Sequence, residues 1–198
     1  MTAPVLELLD WRRQIFELYE NVRAELYPHV AHAGWAAERD RLFADHPCSP
    51  VADRKAFRGL AVADYDSGWR MTARLEPAPA QRITVLTDSG EEVPFERAGV
   101  LRTPWGQLDA WQLMSYGSGL WIPVRDAGSG TLSYGGGRYL YDTVTGADLG
   151  STPDGELVLD FNFLYAPSFA YDPHWSGPLP PEGNVLDVEV PVGELLDR

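Results

Sequence analysis

The sequence is poor in the side chains that build metal and disulfide sites. Cys48 is the only cysteine among 198 residues, so the chain has neither an internal disulfide nor a metal site made of several thiolates. The four histidines stand at His29, His32, His46 and His174, and none has the HExxH or paired-ligand spacing of a zinc site. We therefore expect no metal and no cofactor.

Long apolar runs are also missing. No stretch approaches the roughly 18 to 20 apolar residues that a membrane-spanning helix needs. The N-terminal residues carry charges throughout, without the basic start and apolar run of a signal peptide. The sequence therefore predicts a cytoplasmic protein that has no membrane partner.

Basic residues are few, and the formal net charge is −13, with Lys55 as the only lysine. Phosphate backbones and anionic lipid surfaces bind clustered lysine and arginine, so nucleic acid and anionic membranes are excluded as partners. The excess of arginine over lysine, together with abundant alanine, glycine and proline, is typical of a GC-rich genome. We favour that explanation of the composition over a charge-driven preference for cationic ligands.

The N-terminal quarter of the chain has a helical apolar period. Apolar residues recur at steps of three and four along residues 8–26, which predicts an amphipathic helix over residues 4–27 with Thr2 as its N-cap and Pro28 as its end. A second helix is predicted over residues 34–44, joined to the first by the linker PHVAHAG. Residues 1–47 are therefore predicted to form a helical hairpin.

After a short helical turn in SPVADRKAFRGL, the apolar period changes to two. Turn signals such as DSGEE, TPWGQ, YGSG and DAGSG separate the candidate strands. These strands cover residues 69–75, 81–87, 93–97, 100–103, 108–114, 120–124, 138–143, 156–161 and 185–192. The pattern predicts one domain over residues 1–198, with a β-rich body over residues 48–198 and the helical hairpin before it. Its fold class is α+β and mainly β, an antiparallel β-sandwich or partly closed barrel.

Polar residues concentrate between Tyr134 and Asn184. In Gly135–Gly137 and Arg138, consecutive glycines could turn their N–H groups towards an anion that Arg138 also contacts. For this motif alone we favour a structural interpretation, in which a glycine-rich bend lets Arg138 pair with Asp142 or Asp160. Asp160 and Asn162 fall on one face of a strand end, as a loop-pinning network or a ligand-orienting pair.

The long loop after that strand holds Ser168, Tyr171, His174 and Asn184, and long loops are often functional. Three functions remain open. The favoured one is a ligand-binding domain for a small anionic or polar metabolite, with a pocket formed by Tyr134, Arg138, Asp160, Asn162, Tyr171, His174 and Asn184. The second is a metal-independent hydrolase, with His174 as base and Arg138 orienting the substrate. Ser168, His174 and Asp160 have the residue types of such an enzyme, although no G-x-S-x-G elbow surrounds Ser168. The third is a structural or interaction module.

Several long motifs point to one family. The segments SPVADRKAFRGL, YGSGLWIPVRDAGSG, YGGGRYLYDT and LDFNFLYAPSFAYDPHWSGPLPPEGN resemble the bacterial family DUF1684 over residues 49–194, and the helical N-terminus resembles its actinobacterial branch. The resemblance implies no established activity. In the family pattern cysteines usually stand at the positions of Phe169 and Gly177, so any bridge or metal site that those thiols form is absent here.

Overall fold

The computed structural model describes residues 5–87 and 90–196, and it begins with two helices. Helix α1 is Val5–Ala24 and helix α2 is Pro28–Asp45, so the predicted hairpin is confirmed. The predicted N-cap Thr2 lies outside the described residues. Pro28 starts α2 instead of ending α1, because a proline at the first helical position lacks only an N–H that would have had no partner. The prediction of PHVAHAG as a linker is therefore wrong, since these residues form the first turns of α2.

Helix α2 attaches the hairpin to the body of the protein through Trp35. The Trp35 side chain is fully buried, and its ring meets the Phe163 ring edge-on with 5.3 Å between centroids. Its Nε1 donates a hydrogen bond of 3.3 Å to the Tyr19 hydroxyl on α1. One tryptophan therefore contacts both α1 and the body.

The body contains two antiparallel sheets. Its strands are β1 Arg70–Ala73, β2 Arg82–Leu86, β3 Glu92–Thr103, β4 Gly106–Leu113, β5 Leu120–Val124, β6 Arg138–Asp142 and β7 Leu157–Asp160. Strands β2 to β6 form a five-stranded sheet in sequence order, and β1 pairs with β7. The predicted strands 93–97 and 100–103 are one strand, because a bulge between Arg97 and Gly99 changes the register without ending it.

The two faces of the five-stranded sheet pack against different partners. On β4, Leu108 and Ala110 face the main core, whereas Trp111, the residue after Ala110, faces the opposite side. This opposite side, here called the aromatic face, carries a second buried cluster made of Phe95, Trp111, Trp121 and Tyr139. The segment after β7 covers it, because Pro178 bridges to Thr87 and Tyr165 bridges to Tyr139.

The predicted strand 185–192 is not formed. Val185 makes one isolated bridge to Arg125. The alternating pattern corresponds to side-chain burial at Leu186, Val190 and Val192, but not to strand pairing. The reason is that the backbone carbonyls of Val190 and Val192 accept hydrogen bonds from the Arg138 guanidinium instead of from a neighbouring strand.

The architecture is α+β. Helices and strands contribute similar shares of the described residues, so the expectation of a mainly β protein is too strong, and residues 5–87 and 90–196 contain no closed barrel. Within the same ranges, neither helix has the length and apolar character needed to cross a membrane.

Candidate functional site

Arg138 lies inside the protein, where its charge already has partners. Its side chain is 0% exposed, and Nη2 donates a 2.9 Å hydrogen bond to the Asp126 carboxylate. The guanidinium also donates to the carbonyls of Val190 (2.9 Å), Val192 (2.5 Å) and Glu194 (3.1 Å). The carboxylate partner that the structural interpretation required is therefore present, but it is Asp126 and not Asp142 or Asp160.

The glycines before Arg138 form a tight turn. Gly137 has a φ of +87°, and its N–H donates to the Tyr134 carbonyl. A Cβ atom at Gly137 would lie 2.8 Å from Pro180 Cγ and 2.9 Å from the Val124 carbonyl oxygen. This close approach accounts for glycine at position 137, which the sequence also allowed as part of an anion site.

Asp160 and Asn162 lie together, as their spacing predicts, and they pin a loop. Asn162 donates 2.8 Å to Asp160 and 2.9 Å to the Asp66 carbonyl, and it accepts from the Asp66 N–H at 2.9 Å. The Tyr65 hydroxyl and Arg70 contact the other oxygen of Asp160. Both polar side chains are buried and bonded within the protein.

Asn184 likewise holds a loop in place through buried side-chain hydrogen bonds. Its side chain is fully buried, accepts a 2.8 Å hydrogen bond from Trp111 Nε1, and donates to the carbonyls of Asp109 (2.8 Å) and Pro123 (2.9 Å). The amide therefore joins the end of the long loop to two adjacent strands.

The proposed hydrolytic residues are not brought together. His174 is exposed, and its Nδ1 lies 2.9 Å from Asp172, whose pKa is lowered by hydrogen bonds from His174. Asp160 has the separate partners given above. Tyr134 and Tyr171 line a recess of about 320 Å³, which none of the other five predicted ligand-binding residues lines. The seven predicted ligand-binding residues thus occupy several places and do not surround one pocket.

A different recess has the form of a binding site. A cavity of about 290 Å³ lies between the helical hairpin, the aromatic face and the segment of residues 166–178, here called the cover segment. Its volume is close to the lower limit of about 300 Å³ for small-molecule pockets. Aromatic rings make up much of its wall, namely those of Trp11, Tyr19, Phe43, Phe95, Trp121, Tyr139, Tyr165, Phe169 and Trp175.

The cover segment is closed by a contact between Phe169 and Gly177. A Cβ atom at Gly177 would lie only 2.4 Å from Cε1 of the Phe169 ring. These are the two positions at which the family pattern has cysteines, and the structure shows that they are neighbours. In this chain the phenyl ring packs onto the glycine where a pair of thiols would meet. Tyr139 also holds the segment by donating a hydrogen bond to the Pro178 carbonyl.

Two arginines line the cavity, and both have partners elsewhere. Arg39 is buried and pairs with Glu194 at 2.6 Å, while its guanidinium carbon stands 4.9 to 5.2 Å from the ring centroids of Trp35, Phe43 and Tyr165. Arg12 donates a 2.9 Å hydrogen bond to the Val144 carbonyl.

Asp142, at the end of β6, is the acidic side chain of the cavity wall. Its Oδ2 accepts a 2.7 Å hydrogen bond from the Thr145 hydroxyl. Burial raises the pKa of the Asp142 carboxyl above its usual range, although the Thr145 hydrogen bonds and the charge of Arg12 act in the opposite direction. Asp142, Thr145 and Arg12 therefore form a polar part of the cavity wall, and aromatic rings form most of the rest.

Because the pKa of Asp142 is raised, we predict that Asp142→Asn stabilises the protein relative to the wild type, and that this stabilisation increases with pH. Because ionisation is disfavoured in the folded protein, the stability associated with the protonated carboxyl is present at low pH and is lost as pH rises through the folded pKa. Asparagine keeps the acceptor for Thr145 and cannot ionise. In thermal melts between about pH 4 and pH 7, the melting temperature of the variant should rise relative to that of the wild type as the pH increases. A constant difference across this range would contradict the prediction.

Sequence reasoning missed the cavity because its walls come from distant segments. From the sequence, Asp142 was expected only as a partner for Arg138. The available signal was a single aspartate directly after the buried strand residues Tyr139–Tyr141, and such a position is also common in ordinary turns.

Comparisons with known proteins support the family and the fold. A family model described as "Protein of unknown function (DUF1684)" matches residues 55–195. Among solved structures, the chain is similar to the solution NMR structure of an uncharacterized protein from Haloarcula marismortui. The two are 31% identical, the alignment covers 82% of this chain and 90% of that chain, and the TM-score is 0.57. No curated protein matches the chain.

Proposed function

Since this chain belongs to the DUF1684 family of proteins of unknown function, its activity has to be inferred from its own geometry, and we propose that it binds a small, largely apolar molecule in the cavity beneath the cover segment. The observation that carries the proposal is the cavity wall, which is aromatic on most sides and polar at one end. Apolar pockets with few convergent polar groups are the usual form of small-molecule sites.

This proposal keeps ligand binding as the function, but it moves the site and replaces the anionic or polar metabolite expected from the sequence with a largely apolar ligand. The earlier candidate site was centred on Arg138, whose guanidinium is occupied by Asp126 and three carbonyls. The hydrolase alternative is not favoured, because His174 is exposed beside Asp172 and Arg138 is fully buried. Of the catalytic and ligand-binding candidates predicted from the sequence, Ser168 alone lines the cavity.

The test is to fill the cavity and measure the loss of binding. Trp11, Trp121 and Trp175 line the cavity, so a bound aromatic molecule should change the intrinsic tryptophan fluorescence. A saturating ligand at about 100 times its dissociation constant should also stabilise the protein by about 2.7 kcal/mol, which thermal melting detects. We expect Ser168→Phe, which adds a ring from the cover segment, to abolish both responses to a panel of small aromatic compounds.

The matched control is Thr84→Phe, which adds the same ring at an exposed position of β2. It should leave both responses unchanged. If Ser168→Phe binds as tightly as the wild type, or if no compound in the panel produces a response, the cavity is not the binding site.

We also propose that the chain belongs to the actinobacterial branch of the family and acts in the cytoplasm. The helical hairpin before the family match supports the first assignment. The second is supported by the single cysteine, Cys48, because secreted proteins commonly contain disulfides and this chain cannot form an internal one.

A further inference from the structure

The cavity wall has an acidic group without a basic partner. Within residues 5–87 and 90–196, no salt bridge joins Asp142 to an arginine, lysine or histidine, and its hydrogen-bond donors are neutral: the Thr145 hydroxyl at 2.7 Å and the backbone N–H groups of Thr145 and Val144. A partly buried carboxylate is costly unless a cation or several donors balance it. The carboxyl of Asp142 therefore has neutral donors and no positive charge in direct contact with it.

The arginines of the cavity do not supply that charge. Arg39 forms a neutral pair with Glu194. Arg12 lies near enough to influence Asp142, but its guanidinium is directed to the Val144 carbonyl. An incoming cation would thus meet a carboxylate that no arginine has already neutralised by direct contact.

The rest of the cavity also suits a cation with an apolar body. Aromatic faces attract ammonium groups by about 0.5 to 2 kcal/mol, depending on desolvation. The protein carries a formal charge of −13, which attracts cations over longer distances. The composition alone did not favour a preference for cationic ligands. The Asp142 carboxyl now provides a specific site at which a cationic ligand could bind.

We propose that the ligand is an aromatic or branched aliphatic amine, whose ammonium group binds Asp142 while its apolar body lies against the aromatic rings. This inference rests on the proposed function, since it names the chemical class of ligand for the same cavity. The ammonium group of the ligand would donate hydrogen bonds to the Asp142 carboxylate from within the cavity.

The experiment compares three probes of nearly equal shape on the full chain. They are 2-phenylethylamine, 2-phenylethanol and 3-phenylpropionate, which place a positive, a neutral and a negative group on the same ring and linker. Dissociation constants are measured by tryptophan fluorescence and calorimetry at neutral pH. We expect the amine to bind at least about tenfold more tightly than the alcohol, and the carboxylate to bind most weakly.

Two variants locate the preference. Asp142→Asn should reduce the advantage of the amine over the alcohol to less than about threefold, while binding of the alcohol itself stays nearly constant. Asp148→Asn is the matched control, because Asp148 is 43% exposed beside Arg23 and does not line the cavity. It should retain the full preference for the amine.

The outcomes separate the two proposals. If none of the probes binds, the proposed function fails and the amine inference fails with it. If the alcohol or the carboxylate binds as tightly as the amine, the cavity is a binding site but the amine inference is wrong. If Asp142→Asn keeps the full preference for the amine, the charge is recognised by another group and the assignment of Asp142 is overturned.

Discussion

Arg138→Met is expected to lower the free energy of unfolding by about 3 to 5 kcal/mol, because removal of one partner of a buried ion pair leaves the other charge uncompensated. Methionine has similar length, so the change removes hydrogen bonds more than volume. Asp126 would keep a buried carboxylate, and the carbonyls of Val190, Val192 and Glu194 would each lose a donor. Urea unfolding followed by circular dichroism measures this loss.

An exposed ion pair provides the control. Arg82 pairs with Glu96 at 2.7 Å, and its side chain is 79% exposed. Arg82→Met should therefore change the free energy of unfolding by less than about 1 kcal/mol. The double variant Arg138→Met/Asp126→Leu should recover part of the loss, since it removes both charges. Equal losses for Arg138→Met and Arg82→Met would show that the buried guanidinium is not a major source of stability.

Trp35→Ala is expected to lower the free energy of unfolding by about 3 to 5 kcal/mol, the usual range for deleting a buried tryptophan. The ring fills the space between the hairpin and Phe163, and it stacks on His32 at 5.7 Å between centroids. Its loss should loosen the hairpin from the body. Hydrogen exchange should therefore accelerate in α1 and α2 more than in the five-stranded sheet.

Two further variants distinguish packing from hydrogen bonding at this position. Trp35→Phe keeps a ring and removes the donor to Tyr19, so it should lose less stability than Trp35→Ala. Phe16→Ala removes a ring from α1 that is 49% exposed and should have a small effect. An effect of Phe16→Ala comparable to that of Trp35→Ala would mean that the hairpin is not attached through Trp35.

The elements that the sequence predicted well are those fixed by local periodicity. The apolar stripe of α1 reappears as the buried residues Trp11, Ile15 and Leu18. Residues 185–192 have an equally regular period, yet they form no ladder. An alternating pattern shows which side chains are buried, but it does not show whether the backbone bonds to a strand or, as here, to the Arg138 guanidinium.

The candidate site was harder to predict than the fold. Asp160 and Asn162 were expected on one face of a strand, and they are bonded to each other for a different reason: β7 ends at Asp160, which caps the short helical turn that contains Asn162. The cavity depends on how the hairpin, the turn after Asp142 and the cover segment meet, which is tertiary information. The sequence suggested Arg138 as a ligand-binding residue. In the structure it is buried and donates hydrogen bonds to four acceptors within the protein, which gives it a structural role.

The hydrogen bonds of Arg138 also affect the order in which the chain can fold during synthesis. Chains emerge from the ribosome N-terminus first, and three of the four acceptors of Arg138 belong to Val190, Val192 and Glu194. Until those residues are released, β6 cannot bury its arginine with a full set of partners. A nascent or prematurely terminated chain would therefore keep a charged group in what should be its interior. We expect such chains to remain sensitive to proteases until residues 190–194 dock on Arg138.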